Sequence, residues 1–269
     1  MSFYTSLNGL KNAQTDLGVI SNNIANAETN GFKKSTVAFS DIIAGSAFTN
    51  PKLMLGIGAT VEAINQNFAQ GPVEQTGAAL DLVVNGDGFF TTRSAISGDT
   101  LYTRNGAFEV DDNGYILRGG NRLQAFPTDA AGVVSGNTLQ SVQVPPTNAS
   151  GAQFAGVAVG KNGVITASYA DGTNVAVGKI ALATFLSPGG LRQEGSANWS
   201  ATGLSGTATY GEPDSGFYGG ILSGALERSN VDLSEEMVGL ITAQRNFQAN
   251  AKAIDTATQI SQTIINLRT

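Results

Sequence analysis

Leu10-Lys11-Asn12-Ala13-Gln14-Thr15-Asp16-Leu17-Gly18-Val19-Ile20-Ser21-Asn22-Asn23-Ile24 is the stretch that sets the fold class of this chain. Leu10, Ala13, Leu17, Ile20 and Ile24 recur at alternating steps of three and four, the spacing of a coiled-coil seam. That pattern predicts an amphipathic helix from Ser2 to about Ala27. Gly9 and Gly18 each cost such a helix roughly 1 kcal/mol against alanine, and Asn12, Asn22, Asn23 and Asn26 add no propensity. Alone in water the segment is marginal.

The far end repeats the theme at greater length. Leu240, Ala243, Phe247, Ile254 and Ala257 share one stripe, interrupted by Asn250; Ile260, Ile264 and Leu267 continue it after a one-residue skip that suits the drift of a 3.6-residue turn. Asp232 followed three residues later by Glu235 reads as a capping box, so a helix is expected from about Leu233 to Asn266. Its opposite face carries Gln244, Asn246, Gln248, Gln259, Gln262 and Asn266. Neutral amides in place of Lys and Glu suit a surface that is wet but not free in bulk solvent.

Between the ends the period changes to two. Leu80 to Val84 and Phe89 to Thr92 read as strands around Asn85-Gly86-Asp87-Gly88, and Asn105-Gly106 and Asn113-Gly114 supply the positive φ that tight hairpins need. Further strands are expected at Ser141 to Val144, Ala155 to Val159, Val164 to Ser168, Val175 to Val177 and Lys179 to Phe185. With 34 Gly, 7 Pro and no collagen-like period, turn-rich β structure is favoured. The expected fold is α+β, mainly β. A β-rich body, 31–230, is inserted between terminal segments 1–30 and 231–269, which form one discontinuous helical domain paired as a coiled coil. Otherwise exposed, the helices' apolar stripes must meet each other or another chain.

Composition excludes much chemistry. The chain has no His and no Cys, which removes the usual zinc sites, Ser-His and Cys-His triads, haem ligation, thiol redox chemistry and disulfides. A glycosidase-style carboxylate pair stays chemically open among 21 acidic residues, but spacing cannot reveal one. With a net charge of −6 and scattered Lys and Arg, no footprint for nucleic acid or anionic lipid is visible. Lys33-Lys34 is the only basic doublet and reads as two solvated loop lysines. Met1 to Ser6 lacks the basic and apolar regions of a Sec signal peptide, and no run of eighteen apolar residues suggests a membrane span.

Several short motifs take structural readings. Glu109-Asp111-Asn113-Gly114 begins like a calcium loop but has Gly120 where the bidentate Glu belongs, so it reads as a hairpin turn. Gly56-Ile57-Gly58 lacks the third Gly of a dinucleotide fingerprint. Asn148-Ala149-Ser150 and Asn198-Trp199-Ser200 are formal glycosylation sequons without a secretory context, and Trp199 reads as a packing residue.

Four blocks carry a family resemblance. Ser21-Asn22-Asn23-Ile24-Ala25-Asn26-Ala27-Glu28-Thr29-Asn30-Gly31-Phe32-Lys33 closely resembles the N-terminal signature of the flagellar rod and hook family. Gly224-Ala225-Leu226-Glu227-Arg228-Ser229-Asn230-Val231-Asp232-Leu233, with Glu235-Glu236-Met237-Val238 and Ala243-Gln244-Arg245-Asn246-Phe247, resembles its C-terminal signature. Leu80 to Phe90 and Tyr102 to Phe108 match central blocks in family order. Phe39-Ser40-Asp41-Ile42-Ile43-Ala44-Gly45-Ser46, Leu182 to Phe185, Gly190 to Gly195 and Asn198 to Ser200 resemble the hook branch more than the rod branch. Phe126 to Gly160 is, however, too short to hold the outer domain of typical hook proteins, a compactness shared with rod proteins.

What the resemblance implies is a structural subunit that catalyses nothing. The first expectation is a hook subunit, self-assembling into a tube that links rod to filament and transmits torque; the alternative is a distal or proximal rod protein forming a stiff drive shaft. It implies a homopolymer that meets rod, hook-cap and junction proteins and is handed on, uncleaved, by the flagellar type III export apparatus. The location would be the extracellular hook, or the periplasm up to the outer membrane for a rod. No cofactor, metal, small-molecule substrate or nucleic acid is expected, and no membrane span. Leu10, Leu17, Ile20, Ile24, Leu240, Phe247 and Ile254 are expected to form the inner helical layer around a central channel, with the β body as outer wall. Ile260 and Ile264, and Asn22, Asn23 and Asn26 of the signature, complete the candidate assembly residues.

Overall fold

The computed structural model describes residues 2–44, 55–129 and 131–267. Gly45 and Ser46 of the hook-like stretch lie outside the described residues. The described residues of 1–27, 34–67 and 231–269 form one compact unit, and those of 28–33 and 68–230 form another.

The first unit holds the two helices and a hairpin. Helix α1 spans Ser2–Ala25 and the longer α2 spans Leu233–Leu267. Asp232 caps α2 as its sequence suggests, its Oδ1 accepting from the backbone N–H of Ser234 at 2.8 Å and of Glu235 at 3.1 Å. This satisfies two of the helix's orphan donors. Strands β1 (Ser35–Ala44) and β2 (Leu55–Gln66) pair antiparallel, with register breaks after Ala38 and after Ile42. The hairpin has no marked alternation of apolar and polar residues, so its strands are not foreseen in the sequence. It is fixed to α1 by Asn12, whose amide donates to Ala59 O at 2.7 Å.

The second unit is the β body. Its strands are β3 (Val73–Gln75), β4 (Leu82–Asn85), β5 (Phe89–Ser94), β6 (Thr100–Thr103), β7 (Glu109–Val110), β8 (Ile116–Arg118) and β9 (Asn121–Phe126). Then come β10 (Gln140–Ser141), β11 (Phe154–Val159), β12 (Val164–Tyr169), β13 (Asn174–Ile180) and β14 (Leu182–Thr184). The last are β15 (Arg192–Gly195), β16 (Asn198–Ser200), β17 (Thr209–Gly211), β18 (Gly220–Ser223) and β19 (Ala225–Glu227). Thirteen of them share one hydrogen-bonded network centred on β5 and β9, while β4 pairs with β18 and β3 with β19.

The Asn-Gly turns divide in their use. Asn113-Gly114 closes the β7–β8 hairpin, where Asp111 Oδ1 accepts from the N–H of Asn113 and Tyr115. Asn85-Gly86 instead carries the chain from β4 to a different set of partners, since β4 pairs with β18 and β5 with β6, β9 and β14. Asn105-Gly106 is no tight hairpin either. A Cβ on Gly106 would lie 1.8 Å from Leu82 O, so glycine is there for close backbone approach, and Gly106 O accepts from Leu82 N at 3.0 Å.

Two apolar clusters hold the body. The larger includes Leu82, Phe90, Ile116, Leu123, Ile165, Ile180 and Leu182, all fully buried. The smaller gathers Phe89, Tyr102, Leu191 and Trp199, and Trp199 meets Phe68 and Phe89 edge to face. At roughly 25 cal/mol per Å² of apolar surface removed from water, these side chains dominate the stability of this unit.

Candidate assembly interface

The helix pair is antiparallel. A Cβ on Gly9 would meet Asn250 Oδ1 at 2.5 Å, a Cβ on Gly239 would meet Ile20 Cδ1 at 3.5 Å, and Asn23 bonds Glu236. These pairs step along both helices in equal and opposite strides, so Ser2 comes level with Ala257. Residues 258–267 of α2 therefore run past the start of α1.

That geometry sorts the expected assembly residues. Leu10, Leu17, Ile20 and Ile24 on α1 and Leu240, Phe247 and Ile254 on α2 are half-buried, whereas Ile260 and Ile264, on the overhang, are 56% and 60% exposed. The only fully buried apolar side chains of the described first unit are those of Ala13 and Ala243. Small residues at the helix contact let the backbones approach, and leave the larger aliphatic groups at its margins.

The three asparagines do different things. Asn22 is exposed, and its carbonyl accepts from the backbone N–H and the side-chain amide of half-buried Asn26, a local closure of the last helical turn. Asn23 is buried. Its Oδ1 accepts from Ser35 N at 3.0 Å while its Nδ2 donates to Ser35 O at 2.8 Å and to Glu236 Oε2 at 3.0 Å. One amide thus joins α1, the entry to β1 and α2. Lys34 completes the knot, 2.8 Å from Glu236 and 3.1 Å from Glu235. Burial, helped by the charge of Glu236, raises the nearby Asp16 carboxyl above its ordinary range.

A second polar knot lies inside the body unit, and it corrects the reading of Lys33-Lys34 as solvated lysines. The Lys33 side chain is fully buried, its ammonium 2.5 Å from Glu227 Oε1 and 2.7 Å from Ala69 O. Glu227 Oε1 also accepts from Gly71 N at 3.0 Å, and Arg104 approaches Glu227 Oε2 at 3.6 Å while lying over the Phe89 ring. Burial pushes the ammonium of Lys33 and the guanidinium of Arg104 down, and Glu227 opposes it in both. Gly31, at φ +69°, donates to Glu227 O and has no room for a side chain, because a Cβ would meet Asn105 N at 2.5 Å.

The charge pattern of a lone basic doublet gives no hint of this partner, which lies 194 residues away. The signal that could find it is the coincidence of blocks: Gly31 and Lys33, Arg104 and Asn105, and Glu227 all belong to the stretches that carry the family resemblance. No helix of the described residues is long and apolar enough to cross a membrane.

Comparison with known proteins agrees along the whole chain. Residues 3–33 match the profile of flagella basal body rod proteins, 83–167 the D1 domain of flagellar hook proteins FlgE/F/G, and 222–267 the C-terminal region of flagellar basal body rod FlgEFG proteins. The chain is similar to the flagellar basal-body rod protein FlgG of Bacillus subtilis, 36% identical over 99% of this chain and 98% of that protein. It is also similar to the flagellar hook protein FlgE of Salmonella typhimurium, 28% identical with both chains fully covered. The FlgG of Agrobacterium fabrum is 30% identical over 95% of each.

Proposed function

We propose a role from one premise: the chain belongs to the flagellar rod and hook protein family, and within that structural, non-enzymatic family it acts as a rod-type subunit of a stiff helical tube. The observation that carries this reading is end-to-end correspondence. The match to the Bacillus rod protein spans 281 positions for a chain of 269 residues, whereas the match to the Salmonella hook protein spans 411. A hook relative therefore needs a large segment that this chain has no residues to supply. In this reading the half-covered stripes of α1 and α2, with Ile260 and Ile264 beyond them, form the inner layer of the tube, and the β body its wall.

A hook subunit is the second reading. It is favoured by the full coverage of both chains in the hook match and by the hook-like stretches at Phe39 to Ala44 and Leu182 to Phe185. Either role places the chain in the flagellar axial structure, meeting further copies of itself and the proteins at each end, after export by the flagellar type III apparatus.

Electron microscopy of the concentrated full-length protein, with and without sheared flagellar rod and hook fragments as seeds, tests the proposal. Straight tubes are expected. Curved or supercoiled tubes would move the assignment to the hook, and a protein that stays monomeric in both conditions would overturn the polymerising role.

A further inference from the structure

Four apolar side chains of the body unit stand almost wholly in solvent: Ile96 at 100%, Leu186 at 96%, Phe217 at 92% and Leu204 at 83%. Three of these are neighbours. Leu186 and Phe217 rim a cavity of about 480 Å³ walled by Phe68, Phe89, Phe185 and Tyr218. Leu204 precedes Ser205, whose carbonyl accepts from the N–H of Ser187, the residue after Leu186. Such a cluster of exposed apolar groups around an aromatic hollow is what a contact surface needs.

Ile96 stands apart, at the tip of the turn between β5 and β6. The turn is well braced. Ser94 Oγ accepts from Ile96 N and Ser97 N, Ser94 N donates to Asp99 O at 2.9 Å, and Arg93 Nε donates to Gly98 O at 2.9 Å. A turn held in one conformation loses little entropy when it docks, and it presents the isoleucine to water until it does.

Cavity and tip sit at the two ends of one strand. Phe89, which walls the cavity, opens β5, and Ser94, which starts the turn, closes it, a span of roughly 17 Å at the rise of a β-strand. Different patches separated by the length of a strand suit a head-to-tail contact, and such contacts repeat into open helical filaments. Charge agrees. Asp87, exposed, borders the cavity, and Arg93, exposed, stands beside the Ile96 turn.

We propose that the Ile96 turn of one subunit seats in the aromatic cavity of the next copy, Ile96 against Phe89 and Phe185 and Arg93 facing Asp87, so that the β bodies stack head to tail. The proposal rests on the polymer-forming reading and adds to it a contact in the body, separate from the terminal helices.

Because the chain has no Cys, paired cysteines report the contact without background. Full-length Ile96→Cys and Phe217→Cys proteins are mixed, assembled, treated with a short thiol-to-thiol crosslinker and pelleted. The control pair is Ile96→Cys with Val133→Cys, an exposed position that does not line the cavity. The Ile96 and Phe217 pair is expected to give crosslinked dimers at least about tenfold above the control, and the double variant a ladder; a tenfold difference is the least that burying one isoleucine supplies.

Pelleted polymer without crosslinking above the control overturns the contact and leaves the polymer reading intact; a cavity filled by some other protein gives this same result. Failure of every variant and of the unaltered chain to pellet overturns both. Ile96→Asp, at a fully exposed site that the fold does not use, is expected to weaken assembly roughly 10- to 100-fold. Unchanged assembly in that variant counts against the contact.

Discussion

The two units solve the burial problem in opposite ways. The body closes over a core in which Leu82, Leu123, Ile165, Ile180 and Leu182 are wholly buried. The helical unit, by contrast, has Ala13 and Ala243 as its fully buried apolar side chains among the described residues, and its larger aliphatic groups are half-covered or exposed. Each unit has a buried polar knot, Lys33–Glu227–Arg104 in the body and Asn23–Glu236–Lys34 in the helical unit. What differs is the apolar surface around them. A unit with a full core can stand alone; one with half-covered stripes draws the rest of its stability from neighbours.

Hydrogen exchange on the monomer measures that contrast most directly and should show the largest effect. Amides of β5, β9 and β14 are expected to exchange about a thousandfold more slowly than those of α1 and α2, since the slowest amides report global opening and the helices open locally. Equal protection across both units would break the comparison. In the assembled state the helices should gain protection while the core strands change little.

The body's own knot gives the largest single-site effect. Glu227→Ala leaves Lys33 and Arg104 buried without their carboxylate, and such a removal costs about 3–5 kcal/mol. The urea midpoint of the body should fall accordingly. Glu227→Met paired with Lys33→Met should recover part of the loss, because only one buried charge is then stranded. A loss below about 1 kcal/mol in Glu227→Ala would mean that the ion pair contributes little to the unit.

How much of this was legible beforehand follows the same divide. The helices were, because a seam of Leu10, Leu17, Ile20 and Ile24 with an Asp232 cap is local information. The strands around Asn85-Gly86 were located, but their partners were not, since nothing near Leu82 in sequence marks Gly220 to Ser223 as its neighbour. The β1–β2 hairpin was missed because its residues alternate poorly and its support comes from α1. Lys33 was misread for the same reason: a lysine's burial depends on a glutamate 194 residues on, and only tertiary structure joins them. The four blocks of family resemblance were the one part of the sequence that carried long-range information, and they hold Lys33, Arg104 and Glu227 of the body knot and Asn23, Glu235 and Glu236 of the helical one.

One chemical change made at two places sharpens the comparison further. Leu182→Ala, in the full core, should cost the body about 2–5 kcal/mol in a denaturant titration. Leu240→Ala, half-buried on α2, should cost the monomer about 1 kcal/mol, in proportion to the area it covers. Assembly should reverse the order. Leu240→Ala is expected to raise the concentration needed for tubes, while a Leu182→Ala protein kept below its unfolding transition should assemble as before.

The smallest expected effect concerns charge at the helical knot. Asp16 faces Lys34, Glu235 and Glu236 in one partly covered hollow of about 410 Å³, and burial with the Glu236 charge raises its carboxyl above the ordinary range. A raised carboxyl means that the ionised form is disfavoured in the folded helix pair relative to the unfolded chain, so the folded state is penalised at neutral pH. The penalty fades as pH falls through the folded value and is gone below the unfolded value of about 3.9, where the group is protonated in both states. Asp16→Asn removes the charge at every pH. It should therefore raise the thermal transition of the helical signal at pH 7 and match the unaltered protein near pH 3. A variant that is less stable at pH 7 would show that the Lys34 ammonium, rather than the Glu236 carboxylate, governs Asp16, and the knot would then be held by four charges instead of three.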